Sequence, residues 1–291
     1  MKVASFLGCI AAMDETNPSM MQGFKNFAGT SAGALLCLMC VLRYTFQEMM
    51  ECTRTLVQRF GSLDHQDIEG AFEAWSGMGV ISGDRLDRVV WHVLEQKEMP
   101  KQCTFVELAK KTGRNLIVSG FNVSTSSHEY FSVDSYPNMC VHTAIRISMS
   151  LPVLFRPYEM DGMLYCDAGI SNNFPIHVFK STCHLHDTLG ISVQTDSNSN
   201  PGNIVSYVGK LLHHITDVAT EHTIASSHNA DFNKQPNYDV VYIQCQDEGL
   251  FDMEHMCFSL SEDLFQSMVQ KGRDAMNAHI SRITHENAQT R

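Results

Sequence analysis

Positive charge is scarce in this sequence. Its 291 residues include 21 Lys and Arg against 32 Asp and Glu, which gives a formal net charge of −11 at pH 7. A nucleic-acid-binding surface normally needs a basic stripe. The densest basic cluster, Lys110, Lys111 and Arg114, is instead typical of an exposed helix end. We therefore expect no nucleic-acid partner.

Long apolar runs and grouped metal ligands are also missing. The apolar run 32–42 is shorter than the roughly 20 residues that a membrane-spanning helix needs. The 10 cysteines are too dispersed for a small disulfide-stapled secreted domain. Cys37 and Cys40 form a C-x-x-C pair inside that run, without a second ligand pair at metal spacing. We expect no transmembrane segment, no metal and no cofactor, and a cytoplasmic or peripheral-membrane location.

The N-terminus, "MKVASFLGCIAAMDE", has a single Lys before an apolar stretch and could pass for a weak signal peptide. However, apolar residues recur three and four positions apart from Phe6 to Met13, and acidic residues follow at once. This spacing predicts the first helix of the fold instead.

Predicted strands alternate with predicted helices along the chain. The strands are expected at 24–28, 115–123, 129–133, 163–167, 188–193 and 238–244. The helices are expected at 45–60, at 84–98, after the capping box Thr104-x-x-Glu107, and at 141–149, 204–221 and 260–283. No repeat or linker divides the chain, so we expect one domain over 1–291. The alternation predicts an α/β fold with a largely parallel sheet that helices cover on both faces.

The stretch "FAGTSAGAL" contains the pattern Gly29-x-Ser31-x-Gly33 between an apolar strand and an apolar helix. A nucleophile elbow needs such a turn, with small flanking residues that allow the hydroxyl to project. The helix that begins at Ala32 directs its positive end at Ser31, which favours developing negative charge there. Ser31 is thus a candidate nucleophile. The alternative is a small residue where a strand runs into a helix.

A serine nucleophile needs a base, and the sequence offers two kinds. Asp167 ends an apolar strand, and Ala168 and Gly169 after it are small enough for a close backbone approach. Asp167 could equally start an Asx turn. A histidine in a Ser-His-Asp triad is the alternative base. The downstream candidates are His177, His184, His186, His213 and His214, and none of them has a distinguishing sequence context.

"GTSAG" together with "AIRISMSLPVLFRPYEMDGMLYCDAGISNNFPI" resembles the patatin-like phospholipase family. The resemblance runs from about residue 3 to residue 177, and nothing specific is recognisable beyond about residue 201. It implies a three-layer α/β/α domain with Ser31 as the nucleophile and Asp167 as the base. It also implies acyl esters of lipids as substrates, an acyl-serine intermediate and possible peripheral contact with membranes.

Two features depart from the family pattern. The aspartate motif reads Asp167-Ala168-Gly169 where the family more often has two glycines. The family's opening strand and its glycine-rich oxyanion loop, G-G-G-x-[RK]-G, are lacking, although Lys2 matches the basic position and Val3 stands at the final glycine. The backbone N–H of Ala32 would then form only part of an oxyanion hole.

Three hypotheses follow from these patterns. The chain is a lipid acyl hydrolase, a catalytically impaired relative that binds lipid or a protein, or an unrelated serine hydrolase that uses a histidine.

Overall fold

The structure of the protein is a computed structural model that describes residues 3–18, 20–61, 79–179, 188–196, 204–228, 239–246 and 261–289. The described helices are α1 (Val3–Thr16), α2 (Met20–Gly23), α3 (Ala32–Val41), α4 (Phe46–Gly61), α5 (Asp84–Glu95), α6 (Phe105–Thr112), α7 (Val141–Ser148), α8 (Ile204–His228) and α9 (Glu262–Gln289). The described strands are β1 (Asn26–Gly29), β2 (Gly79–Ile81), β3 (Asn115–Asn122), β4 (Ser127–Phe131), β5 (Val153–Phe155), β6 (Tyr158–Met160), β7 (Met163–Asp167), β8 (Leu189–Asp196) and β9 (Asp239–Gln246). Short 3-10 turns follow β7 at Ala168–Ile170 and at Ile176–Phe179.

Most predicted elements are present, with shifted ends. The strand predicted at 24–28 lies at Asn26–Gly29, and the helix predicted at 204–221 continues to His228. Residues 238 and 260, where two further predicted elements begin, lie outside the described residues. The three-residue strands β2, β5 and β6 were not predicted, because so short a segment carries no readable alternation.

The N-terminal segment forms a helix, as its spacing predicts, but α1 is buried almost all round rather than on one face. Its buried residues include Ser5, Gly8 and Cys9 as well as the larger apolar side chains. Small residues at these positions allow other backbones to approach closely. No helix in the described part of the chain is both long and apolar enough to cross a bilayer.

The main sheet mixes strand directions. β1 pairs with β3 in parallel, whereas β4 and β7 pair with β3, and β6 with β7, in antiparallel fashion. The parallel share is therefore smaller in this sheet than the alternation of elements predicts. Short returns such as that from β3 to β4 produce hairpins, which a helix-linked crossover would not.

Strands β1 and β7 lie end to end along one edge of β3. Val118 pairs with both Gly29 of β1 and Phe131 of β4, and Gly120 pairs with both Asp167 of β7 and Glu129 of β4. Since β4 occupies the opposite edge in both cases, β1 and β7 must share the other edge. The C-terminal ends of β1 and β7 meet opposite Ser119, the single residue between Val118 and Gly120.

The basic cluster near the end of α6 is only partly exposed, which corrects the sequence interpretation for Arg114. Lys110 and Lys111 lie exposed in the last turn of α6, but Arg114 is buried. Its guanidinium donates to the carbonyl oxygens of Cys40 and Met21, which belong to α3 and α2. A cation paired with a carbonyl at the C-terminal end of α3 also complements the helix dipole.

The C-terminal helix α9 packs directly against α1. A Cβ atom at Gly8 would come within 1.9 Å of the Val269 carbonyl oxygen, and one at Gly272 within 1.9 Å of the Ser5 carbonyl oxygen. The Cys9 thiol donates to the Gly272 carbonyl at 3.2 Å. Two glycines, one on each helix, thus permit backbone contact between the two ends of the described chain.

This contact predicts a large stability loss for Gly272→Ala, because the added methyl group would overlap the α1 backbone. We expect the free energy of unfolding to fall by about 1–3 kcal/mol or more, measured by urea denaturation. Gly23→Ala is the matched control, since a Cβ there meets nothing within 4 Å. Equal stability of the two variants would contradict the described contact.

Candidate active site

Ser31 occupies a strained turn between β1 and α3. Its backbone has φ 56° and ψ −131°, and α3 begins at the next residue. A positive φ at a residue with a side chain costs about 1–3 kcal/mol and persists only where the surroundings enforce it. The sharp strand-to-helix turn is the geometry expected of a nucleophile elbow.

The two glycines of the elbow motif differ in their surroundings. A Cβ at Gly29 would come within 2.6 Å of the Gly33 backbone, so only glycine allows the turn to close. A Cβ at Gly33 would meet nothing within 4 Å. Gly29 is therefore required by the fold. Gly33, two residues after Ser31 in the chain, borders open space.

Three polar contacts hold the elbow in place. The Ser31 N–H donates to the Ser148 hydroxyl at 2.8 Å, and Ser148 is fully buried at the end of α7. The Thr30 hydroxyl lies 2.5 Å from the Ser119 hydroxyl and donates to the Asn172 carbonyl at 3.1 Å. Ser119 is the residue of β3 at which β1 and β7 meet.

Asp167 is also held by neighbouring backbone. It is only 1% exposed, and its N–H donates to the Ser150 carbonyl at 2.9 Å. Its carboxylate accepts a hydrogen bond from the Gly169 N–H at 2.8 Å. The methyl group of Ala168 is accommodated with no exposed surface, so alanine fits where the family more often has glycine.

The Ser31 side chain lies near enough to the Asp167 carboxylate to affect the pKa of that carboxyl. Burial raises the pKa of Asp167 to about 6, while hydrogen bonds from the Ser31 side chain and the Gly169 N–H oppose that shift of the pKa. The carboxylate is thus a stronger base than an ordinary aspartate.

The backbone N–H groups in the first turn of α3 follow Ser31 directly. The Gly33 N–H donates to the Thr30 carbonyl and the Ala34 N–H to the Ser31 carbonyl, each at 2.9 Å. The Ala32 N–H directly follows Ser31, at the position that donates to an oxyanion in hydrolase elbows. The positive end of the α3 dipole acts at the same place.

A hydrogen-bonded chain connects the turn after Asp167 to β4. Asn172 donates from Nδ2 to the Tyr130 hydroxyl at 2.7 Å, and that hydroxyl lies 3.0 Å from His177 Nε2. Tyr130 is the register partner of Ser119. Sequence reasoning missed Ser119, Tyr130 and Asn172, because ordinary polar residues carry no signal until the fold joins them.

A buried arginine lies behind the Asp167 strand. The Arg146 guanidinium donates to the Ser150 hydroxyl, and that hydroxyl donates to the Arg146 carbonyl at 2.6 Å. Gly83 leaves the room that this guanidinium needs, since a Cβ there would overlap it. Arg146 thereby fixes Ser150, whose carbonyl holds the Asp167 backbone.

Three of the five candidate histidines are described in the structure, and two lie outside the described residues. His177 contacts Tyr130, and His213 Nδ1 lies 3.2 Å from the Asp217 carboxylate within α8. His214 is exposed on the same helix, and His184 and His186 lie outside the described residues. Within the described ranges, no group of three metal-ligating side chains comes together. Cys37 and Cys40 lie on α3, where burial raises the thiol pKa of Cys40 to about 12.

Comparison with known proteins bears on this site. Uncharacterized protein R571 of Acanthamoeba polyphaga mimivirus is 26% identical over 180 residues, which are 62% of this chain and 58% of that protein. Probable lipid hydrolase 463L of Invertebrate iridescent virus 6 is 26% identical over 158 residues, 53% of this chain and 52% of that protein. The matches thus span a little over half the length of these two relatives.

Among solved structures, VipD from Legionella pneumophila aligns with 95% of this chain and 64% of its own, with a TM-score of 0.54 at 14% identity. That likeness concerns the fold alone, and it agrees with the predicted α/β class. The family model described as patatin-like phospholipase matches residues 1–180, which contain both β1–Ser31–α3 and β7–Asp167. The chain belongs to the patatin-like phospholipase family, a family of lipid hydrolases.

Proposed function

We propose that this chain hydrolyses acyl esters of lipids through a Ser31–Asp167 dyad and an acyl-serine intermediate. The observation that carries the proposal is the meeting of a strained serine with a buried aspartate of raised pKa at the shared edge of β3. The relative named as a probable lipid hydrolase supports a lipid substrate.

In the acylation step, the Ser31 hydroxyl oxygen attacks the ester carbonyl carbon while its proton passes to the Asp167 carboxylate. The tetrahedral intermediate collapses when the bond to the alcohol oxygen breaks, and the proton returns from Asp167 to that oxygen. Water then repeats the sequence on the acyl-serine and releases the fatty acid. No metal, cofactor or histidine enters these steps.

Negative charge on the carbonyl oxygen needs fixed donors. The Ala32 N–H and the dipole of α3 supply part of this stabilisation. Removal of one oxyanion donor costs on the order of 10² to 10³ in turnover, so the number of donors determines whether bound lipid is also hydrolysed.

The first prediction concerns the base. Asp167→Asn should lower kcat on a soluble acyl ester by at least about 10³, like Ser31→Ala, because the amide cannot accept the serine proton. His177→Gln should retain most of the activity, since glutamine can still hydrogen-bond to Tyr130. Steady-state kinetics on all three variants provides the test.

Two outcomes would contradict the dyad. A loss for His177→Gln as large as that for Ser31→Ala would favour a histidine-dependent hydrolase. Lipid binding with activity no higher than that of Ser31→Ala would favour the impaired relative.

The second prediction concerns pH. Because the pKa of Asp167 is raised to about 6, hydrolysis should fall below about pH 6 as the carboxylate becomes protonated. The effect of pH on stability has the opposite direction. The folded state favours the protonated form of Asp167, so the stability that this group contributes is fully present below about pH 4 and is lost as pH rises through about 6. Asp167→Asn should therefore be more stable than the parent at pH 7, by up to about 3 kcal/mol.

Asparagine keeps an oxygen that can accept the hydrogen bond from the Gly169 N–H, so Asp167→Asn isolates the effect of the carboxylate charge on stability. Urea denaturation of both proteins at pH 4 and pH 7 measures the effect. A parent that gains stability over Asp167→Asn as pH rises would contradict the raised pKa.

The third prediction separates the two elbow glycines. Gly29→Ala should destabilise the fold by about 1–3 kcal/mol or more, because its methyl group would overlap the Gly33 backbone. Gly33→Ala should leave stability equal or up to about 1 kcal/mol higher, since alanine favours a helix. We expect Gly33→Ala to lower kcat/KM nevertheless, because its methyl group enters open space at a residue only two positions after the nucleophile in the chain. Full activity of folded Gly33→Ala would show that substrate does not use that space.

A further inference from the structure

Helix α8 turns an apolar stripe away from the protein. We define the α8 stripe as Tyr207, Leu211, Ile215 and Val218, which are 50%, 45%, 50% and 50% exposed. Their spacing of four, four and three residues places them on one face of the helix. Large apolar side chains aligned in this way expose apolar surface along this face of the helix.

The side of α8 that faces the protein is rich in hydroxyl groups. The hydroxyls of Thr216, Thr220 and Thr223 donate to carbonyl oxygens one turn earlier, at 2.9, 2.8 and 2.9 Å. Because these bonds lie within the helix, each hydroxyl is hydrogen-bonded while the threonines lie on the side of α8 that faces the protein. In this part of α8, large apolar side chains lie on the exposed side and threonines lie on the side towards the protein, which is the reverse of the usual amphipathic arrangement.

The C-terminal part of α8 is anchored beside the candidate active site. Ile224 is buried and packs against Phe174 and Ile176. The helix also contacts the turn Ala168–Ile170, which directly follows Asp167. The α8 stripe is therefore carried by a helix that contacts the turn directly after Asp167.

Size and charge decide what fits the stripe. A stable protein interface takes about 20–30 residues from each side, whereas the stripe offers four side chains. From 207 to 224, α8 carries one lysine against one aspartate and one glutamate, and the whole chain has a formal charge of −11. An anionic surface would be repelled, whereas a zwitterionic lipid surface is neutral to these charges.

We propose that the α8 stripe inserts into the interface of a zwitterionic lipid aggregate and so brings the candidate active site to its substrate. Apolar side chains beside a Tyr suit the boundary between headgroups and acyl chains. The proposal rests on the proposed lipid hydrolysis for its purpose, but the binding itself requires no turnover.

The test uses the full 291-residue chain with Ser31→Ala, so that vesicles stay intact and binding is separated from hydrolysis. Co-flotation with large unilamellar phosphatidylcholine vesicles measures the partition coefficient. In this background, Ile215→Thr with Val218→Thr should lower partitioning about tenfold, since less apolar surface enters the lipid. Threonine preserves the β-branched shape, and circular dichroism checks the helix.

Val218→Thr and Val123→Thr form a matched pair, because Val123 is 45% exposed and belongs to the turn after β3 rather than to α8. Only Val218→Thr should weaken flotation. In the parent with Ser31 restored, the stripe variants should keep their kcat on a soluble ester and lose turnover on vesicles. An inactive parent that still floats through the stripe would overturn the proposed hydrolysis and leave this inference standing.

Three results of the flotation experiment would overturn the inference. In the first, the chain does not float with phosphatidylcholine vesicles. In the second, Val218→Thr and Val123→Thr have equal effects on flotation. In the third, binding requires phosphatidylserine and disappears in about 1 M NaCl. A dimer in light scattering that dissociates on Val218→Thr would assign the stripe to a second copy instead.

Discussion

The end-to-end arrangement of β1 and β7 along β3 is the constraint on which the site depends. A parallel partner and an antiparallel partner share one edge, so their C-terminal ends converge at Ser119 instead of lying at opposite ends of the sheet. Ser31, two residues after β1, and Asp167, the last residue of β7, are thereby brought near each other although 136 positions separate them. Backbone hydrogen bonds of β3 set this meeting point, and the short polar contacts of Thr30 and Asn172 keep the two loops in register.

Two unfavourable states coexist at that point. Ser31 has a positive φ, and burial raises the pKa of Asp167, so each residue lowers the stability of the fold. Contacts outside the pair offset these costs: Ser148 accepts the Ser31 N–H, and Ser150 accepts the Asp167 N–H. Arg146 in turn holds Ser150. A segment of α7 and the residues just after it thus supports both members of the pair.

The sequence could predict the parts of the site that depend on local geometry. Gly29, Ser31 and Asp167 stand out because a tight turn and a strand end restrict which residues fit there. Ser119, Tyr130 and Arg146 could not be found in this way, since their roles arise from partners that are distant in sequence. Arg114 illustrates the same limit: beside two lysines it suggests an exposed helix end, yet the carbonyls that bury it belong to α2 and α3.

Resemblance to the family ends near residue 177, but the physical dependence of the fold does not. Helix α9 contacts the α1 backbone through Gly8 and Gly272, and Ile224 of α8 packs on Phe174, a few residues after the Asp167 turn. The later helices therefore restrain the motif-bearing segments from two sides. Helix α8 contacts the turn Ala168–Ile170 and exposes Leu211 and Ile215 on another part of its surface. An apolar surface that covers those side chains would therefore lie against the same helix that contacts the turn after Asp167.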